Sequence, residues 1–271
     1  MEINETFKEL LCKVKERGPL VHHITNYVTT NDCANIVLAI GGSPVMADAI
    51  EEVEEMVSIA SALVINIGTL NSVQVESMIR AGKKANELGV PVVLDPVGVG
   101  ATSYRKETAL RLIKEVRFAV IRGNLAEIKV LSGMEALSKG VDSGEAESDD
   151  ASGVARNLAD KLNTVIAITG AVDHISDGSK VISLKNGHEM LKNVTGTGCM
   201  STSLIGTYCG VTKDYLAAAA LGIMTMGIAG EVAYERLSSC ERSGSFKVKL
   251  MDAIGSFSCE DIDKRGKIYE E

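Results

Sequence analysis

The chain has 271 residues, 45% of them hydrophobic and 4% aromatic, with no tryptophan and a net charge of −8. That length suits one large α/β domain or two small ones, and the acidic balance excludes a broad nucleic-acid-binding face, which needs a basic stripe. Six cysteines are scattered without a CxxC pair, so zinc and thioredoxin-like readings lack support and free thiols in a reduced, cytoplasmic setting are expected.

The opening Met-Glu-Ile-Asn-Glu lacks the basic-then-apolar pattern of a signal peptide. Apolar Phe7, Leu10, Leu11 and Val14 predict an amphipathic helix over Glu5 to Arg17, ended by Gly18-Pro19. A strand is expected over Leu20 to Thr25, where the adjacent His22 and His23 point to opposite sides. No third ligand stands at metal spacing, so both histidines read as structural or substrate-lining. A helix over Asp32 to Ile40 stops at Gly41-Gly42, and Ser43-Pro-Val-Met46 is extended because residues before proline avoid the helical region.

Strands and helices then alternate. Helices are predicted over Glu51 to Ala60, Ser72 to Leu88, Thr108 to Val116, Asn124 to Leu131 and Ser152 to Leu162. Between them, Ala62 to Asn66, Val90 to Asp95, Phe118 to Arg122 and Thr164 to Thr169 are apolar runs of the kind that form buried parallel strands. Acidic Asp142 to Asp150 reads as an exposed loop. Turn signals around Lys180-Val-Ile-Ser-Leu184 mark an antiparallel hairpin region toward the C-terminal half. Two Ala- and Gly-rich helices follow, Met200 to Tyr208 and Tyr215 to Ala233. The apolar run in the second falls short of the ~20 residues that span a bilayer, so it is expected as a core helix with no membrane partner. Phe246 to Ile254 closes the globule, and the charged tail after Glu260 is expected to fray. The alternation predicts a mostly parallel sheet covered on both faces, in one domain spanning residues 1–271.

Chemistry concentrates where the strands end. In open α/β sheets ligands bind beyond the carboxyl ends of strands, and those ends carry Asn66, Asp95, Arg122-Gly-Asn124 and Thr169-Gly170. The stretch Asn193-Val-Thr-Gly-Thr-Gly-Cys-Met200 reads as a glycine loop opening a helix, where unpaired amides and the positive end of the helix dipole attract an anion. Asn124 and Glu127 allow two readings. They form a capping box, or they hold water around a hydrated Mg²⁺ with Asp95 nearby. No GxxxxGK[ST] occurs, and no GxGxxG follows a strand with an acid ~20 residues on, so neither a P-loop nor a dinucleotide fold is supported.

Together, Asn124-Leu-Ala-Glu127, Thr169-Gly170 and Val194-Thr-Gly-Thr-Gly-Cys199 resemble the ribokinase-like small-molecule kinases. The segments Pro19 to Asn26, Gly42 to Ala47, Asn66 to Leu70, Leu94 to Gly98, Ile121 to Asn124 and Val165 to Gly170 narrow the resemblance to the hydroxyethylthiazole kinases, over Pro19 to about Phe246. It implies a three-layer αβα sandwich that phosphorylates the primary hydroxyl of 4-methyl-5-(2-hydroxyethyl)thiazole with ATP and Mg²⁺, in thiamine salvage. By matching position, Met46 and Gly196 would touch the thiazole alcohol with Asn26 nearby. Arg122 and Thr169, with Asn124 beside them, would serve ATP, and Asp95 and Glu127 the hydrated magnesium. A homotrimer with the thiazole site between subunits is also implied.

The resemblance places Cys199 where most ribokinase-like enzymes have an aspartate base. A thiol at a helix N-terminus is expected to have a lowered pKa and so to be a weak base. The amides from Gly196 through Gly198 to Cys199, as an anion hole for the γ-phosphoryl oxygens, are expected to matter more than the thiol. Kinases of pyrimidine or pyridoxal-type alcohols, a nucleotide-hydrate lyase of the same fold and a non-catalytic nucleotide sensor are the competing readings. The first is opposed by Cys199 and the second by Gly42-Ser-Pro-Val-Met46.

Overall fold

The computed structural model describes residues 2–133 and 151–270; the acidic stretch expected as a loop at 142–150 lies outside them. The first part runs α1 (Glu2–Arg17), β1 (Leu20–Ile24), α2 (Thr30–Ile40), β2 (Ser43–Met46), α3 (Val53–Ile59), β3 (Ala62–Asn66), α4 (Ser72–Leu88), β4 (Val92–Asp95), α5 (Ser103–Glu115), β5 (Val120–Asn124) and α6 (Leu125–Ser132). The second runs α7 (Ala151–Leu162), β6 (Val165–Thr169), β7 (Asp173–Ser176), β8 (Val181–Leu184), a 3-10 turn (Glu189–Asn193), α8 (Thr197–Cys209), α9 (Tyr215–Glu235), α10 (Ser243–Gly255), α11 (Cys259–Arg265) and β9 (Ile268–Glu270).

Among the described residues the strands form one sheet in the order β2-β1-β3-β4-β5-β6-β7-β8-β9. The first six are parallel and the last three antiparallel. Apart from β2 at the sheet's edge, the parallel strands are short and apolar because helices cover both of their faces, leaving no wet side to be polar. One core lies under α1, α2, α8, α9 and α10, and the other under α3 to α7. Helix α9 is apolar on every side, the pattern of a helix enclosed by protein; residues Ala217 to Gly230 are all buried. By length and composition it could cross a membrane, yet here it packs against α8 and α10.

The pleat decides which strand-end residues can meet. Successive side chains point to opposite faces, and Val64, Val93, Val120 and Ala167 all face the α8 core. Two residues on, Asn66, Asp95, Arg122 and Thr169 therefore face the same way, at the carboxyl ends of four neighbouring strands. Register pairs Asn66 with Asp95; Arg122 pairs with Ala167, so Thr169 stands two residues further out, opposite Asn124.

Several boundaries differ from expectation by a few residues, and three of them bear on how helices start or how the chain ends. Helix α5 begins at Ser103 rather than Thr108, because the Thr102 hydroxyl accepts the Arg105 amide at 3.3 Å. Helix α8 begins at Thr197 rather than Met200, directly after the left-handed Gly196. The tail does not fray. Ser258 and Asp261 form a capping box that starts α11, and β9 adds to β8 along Ile182 to Leu184.

Candidate active site

Helix α8 starts without a side-chain cap. Gly196 has φ +88°, a left-handed conformation costly for a residue with a Cβ. The first intrahelical bond runs from the Met200 amide to the Gly196 carbonyl at 2.8 Å. The amides of Thr197, Gly198 and Cys199 precede it, so they are the orphan donors of a helix start. A Cβ built on Gly196 would lie 2.6 Å from Thr29 Cγ2, and one on Gly198 would lie 2.6 Å from Arg122 Nη1. The two glycines thus let Thr29 on one side and a guanidinium on the other press against the loop backbone.

Arg122 is the cation of this cluster. Its Nη2 donates to the Thr169 hydroxyl, and its Nη1 lies 3.9 Å from Asp95 Oδ1. Asp95 is fully buried; its Oδ2 accepts from Asn66 Nδ2 at 3.0 Å and from the Thr202 hydroxyl at 2.9 Å. Burial pushes its carboxyl up to about 6, against the pull of Arg122. Asp95 Oδ1 and Arg122 Nε are both buried without a hydrogen-bond partner. Such orphans are costly inside a protein and call for an explanation.

Cys199 stands in the first turn of α8, half-buried, where Asn26 and Asn66 donate to its sulfur at 3.4 and 3.2 Å. Its thiol pKa is raised, first by burial and then by the Asp95 carboxylate, which outweigh hydrogen bonds from Thr29, Asn66 and Asn26. The expectation of a lowered pKa is therefore corrected: a helix N-terminus favours thiolate only where desolvation and a nearby anion do not oppose it.

Asn124 and Glu127 form the capping box in full. Asn124 Oδ1 accepts the Glu127 amide at 2.8 Å, and Glu127 Oε2 accepts the Asn124 amide at 2.9 Å. The other carboxylate oxygen, Oε1, accepts the Gly98 amide at 2.8 Å and so ties the loop after β4 to α6. No cluster of three His, Cys, Asp or Glu side chains able to hold a metal ion occurs among the described residues. Both Glu127 oxygens thus face backbone donors, yet each keeps a second acceptor direction. Together with the unpartnered Asp95 Oδ1, this donor set fits a cation held through its waters rather than one ligated by both carboxylates.

The remaining expected residues fall at the other end of the cluster. Asn26 is buried and its carboxamide is fully used: Nδ2 donates to Asn66 Oδ1 and Cys199, while Oδ1 accepts from the Thr29 amide and hydroxyl, each at 3.1 Å. Met46 ends β2 at the sheet's edge, half-buried, with His23 as its register partner and outside this hydrogen-bonded network. His22 and His23 are structural: their Nε2 atoms bond the Ala47 carbonyl at 2.6 Å and the Ser203 hydroxyl at 3.1 Å. Burial lowers both pKa values, that of His23 to about 4.

Three contributors were wholly or partly illegible in the sequence. Thr202 lies one turn after Cys199 on the sheet-facing side of α8, a position that helical spacing would have indicated. Asn66 was visible as a strand end, but its central place in the network was not. Arg105 had no local signal: from α5 it donates to the carbonyls of Ile67, Val97 and Gly68, each at 2.7 Å, and so staples the loops after β3 and β4 together.

Asp173, at the start of β7, accepts the Gly170 amide at 3.0 Å and so shapes the turn after Thr169. Its pKa is raised to about 7, chiefly by burial. A folded-state pKa above the unfolded value means that folding takes up a proton. The stability this group contributes is full below about 4 and is lost as pH rises to about 7. Asp173→Asn keeps an acceptor for Gly170 and removes that slope. The melting temperature of the variant relative to the parent should therefore rise between pH 5 and pH 8; a pH-independent difference would count against a charge cost at this site.

Comparison with known proteins sets this geometry in context. The model of the hydroxyethylthiazole kinase family matches residues 11–260. A hydroxyethylthiazole kinase from Alkaliphilus oremlandii (strain OhILAs) is 57% identical over 270 residues, covering 100% of both chains. Among solved structures, a hydroxyethylthiazole kinase protein from Pyrococcus horikoshii OT3 matches with a TM-score of 0.90 at 44% identity, over 98% of this chain and 99% of that one. A ribokinase-like superfamily protein from Enterococcus faecalis V583 matches with a TM-score of 0.61 at 12% identity, over 95% of this chain and 94% of that one. This last likeness is one of fold alone, and the three-layer αβα architecture is ribokinase-like.

Proposed function

We propose that this chain, which belongs to the hydroxyethylthiazole kinase family, transfers the γ-phosphoryl group of ATP to the primary hydroxyl of 4-methyl-5-(2-hydroxyethyl)thiazole in thiamine salvage. The observation that carries the reading is the uncapped start of α8, with the Arg122 guanidinium against Gly198 and the Cys199 thiol in the same turn. Orphan amides and a guanidinium together suit a phosphoryl group whose equatorial oxygens carry the charge.

In this reading the alcohol oxygen attacks the γ-phosphorus, its bond to phosphorus forms as the bond to the β,γ-bridging oxygen breaks, and ADP leaves with that oxygen. Amides from Thr197 to Cys199 hold the transferring group, while Arg122 and Thr169 hold the nucleotide's phosphates. Asp95 and Glu127 would hold a hydrated magnesium ion through its waters, with Asn124 fixing Glu127, and the ion would supply positive charge against the phosphates. The hydroxyl proton passes to the Cys199 sulfur or to water. Because burial keeps the thiol protonated near neutral pH, the sulfur is a minor base. Cys199→Ala should thus keep measurable turnover, within about 10²-fold of the parent, the low end of general-base contributions. Cys199→Asp should match or exceed the parent, since Asn26 and Asn66 would donate to a carboxylate as they do to sulfur. Loss of all turnover in both variants, with the fold intact by circular dichroism, would contradict this.

Met46, Gly196 and Asn26 would line the alcohol end of the site. Tyr27 and Val28, directly after Asn26, are 81% and 58% exposed. An apolar pair so open beside the site supports the further reading that subunits meet there, in a homotrimer that completes the thiazole pocket. The chain would act as one kinase domain in the cytoplasm, with no nucleic-acid or membrane partner. The deciding assay incubates the protein with Mg-ATP and a panel of thiazole, pyrimidine and pyridoxal alcohols and measures ADP. Turnover confined to a pyrimidine or pyridoxal alcohol would overturn the thiazole reading.

A further inference from the structure

Asn66 sits at the centre of a directed chain of hydrogen bonds with every capacity of its carboxamide in use. Its Oδ1 accepts from Asn26 Nδ2 and from the Gly68 amide, each at 2.9 Å. Its Nδ2 donates to Asp95 Oδ2 at 3.0 Å and to Cys199 Sγ at 3.2 Å. The amide's orientation is fixed by those neighbours: a flip would aim Oδ1 at the Asp95 carboxylate and Nδ2 at two donors. The Cys199 sulfur is thereby held as an acceptor, tied through one planar group to the Asp95 carboxylate on the neighbouring strand. Asn66 is 1% exposed and closes its own hydrogen bonds inside the protein, so nothing remains of it to bind substrate.

We propose that Asn66 is a positioning residue for the phosphoryl transfer: its carboxamide fixes the Cys199 sulfur relative to Asp95 and keeps a donor on that sulfur. The inference rests on the reaction assigned above. It adds that the thiol works as part of an amide-held unit rather than as an isolated side chain at a helix start. Turnover depends on Asn66 through Cys199, while the binding of ATP and alcohol does not.

The test is a double-mutant cycle with Asn66→Ala and Cys199→Ala, run alone and together. Asn66→Ala should lower kcat by up to about 10²-fold, the loss that a misplacement of about 1 Å brings, with KM for both substrates changed by less than about threefold. In the Cys199→Ala background the same substitution should cost at least about fivefold less. Losses that multiply within about twofold, as for independent sites, would overturn the proposal, as would a rise in KM with kcat unchanged.

A second measurement needs no turnover. Modification of Cys199 by iodoacetamide, read on its peptide by mass spectrometry, should slow at least about threefold in Asn66→Ala and in the milder Asn66→Ser, because the reacting thiolate loses an N–H donor. An unchanged or faster rate overturns the proposal. A parent protein that fails to phosphorylate the thiazole alcohol would sink the assigned reaction alone, and the modification rates would still decide the role of Asn66.

Discussion

Gly196→Ala should lower turnover by about 10²–10³-fold, the loss typical of removing one donor from a preorganised anion hole. Two independent features converge on this residue. Its φ of +88° is costly for alanine, and the added methyl would lie 2.6 Å from Thr29 Cγ2 and 3.2 Å from Thr29 Cβ. Thr29 has little freedom to yield, because its amide and hydroxyl both donate to Asn26 Oδ1. Relief must come from the loop, which rotates the amides that follow Gly196 away from the transferring group. The thermal midpoint should move far less than the rate, since α8 itself is anchored by its buried length from Met200 to Cys209. Steady-state kinetics with Mg-ATP, beside a melting curve, checks both; a variant that melts normally and turns over within threefold of the parent would remove the loop amides as the main catalytic element.

Arg122→Ala should raise KM for ATP by about 10–100-fold, the equivalent of one charge-assisted hydrogen bond lost to a phosphate. The guanidinium donates to the Thr169 hydroxyl, lies 3.9 Å from the Asp95 carboxylate and fills the space that a side chain on Gly198 would need. Its removal also takes away the charge that most opposes the rise in the Asp95 pKa. Asp95 should then be neutral further into the neutral range, and the variant's kcat should climb more steeply with pH than the parent's. Arg122→Lys should recover only part of the loss, because an ammonium cannot reach Thr169 and a phosphate in the fixed fork that a guanidinium offers. An unchanged KM for ATP in Arg122→Ala would take this residue out of the nucleotide site.

The alternation of apolar runs was enough to give the parallel sheet, since a strand buried on both faces has little choice of composition. Strand parity could have been carried one step further. Counting back from Asn66, Asp95, Arg122 and Thr169 by two places all four on one face, and α8 is the helix that covers it. Arg105 and the Asn26–Asn66 contact were not legible, because both join segments far apart in sequence with no pattern at either end. The raised Cys199 pKa is illegible for a related reason. The helix start is written in local sequence, whereas burial and a carboxylate from β4 belong to the tertiary structure. Thr102 and Ser258 were the opposite case, capping residues whose signal was present in the chain but outweighed by the apolar pattern beside it.

The strand order β2-β1-β3-β4 holds a consequence for how such a site can change. The chain leaves β1 through α2 on one face of the sheet and leaves β3 through α4 on the other. Adjacent strands whose exits diverge leave a crevice between them, a topological switch point. Asn26 and Asn66 stand at its two lips, while Arg122 and Thr169 lie two and three strands from β3 along the same edge. On the proposed reading, the acceptor end of the pocket would lie where the loops after β1 and β3 diverge, and the phosphate end at β5 and β6, where β5 runs on into α6 and β6 turns back into β7. On that reading, loop replacement after β1 or β3 should retune which alcohol is taken while the phosphate machinery stays in place, a division of labour built into the connectivity.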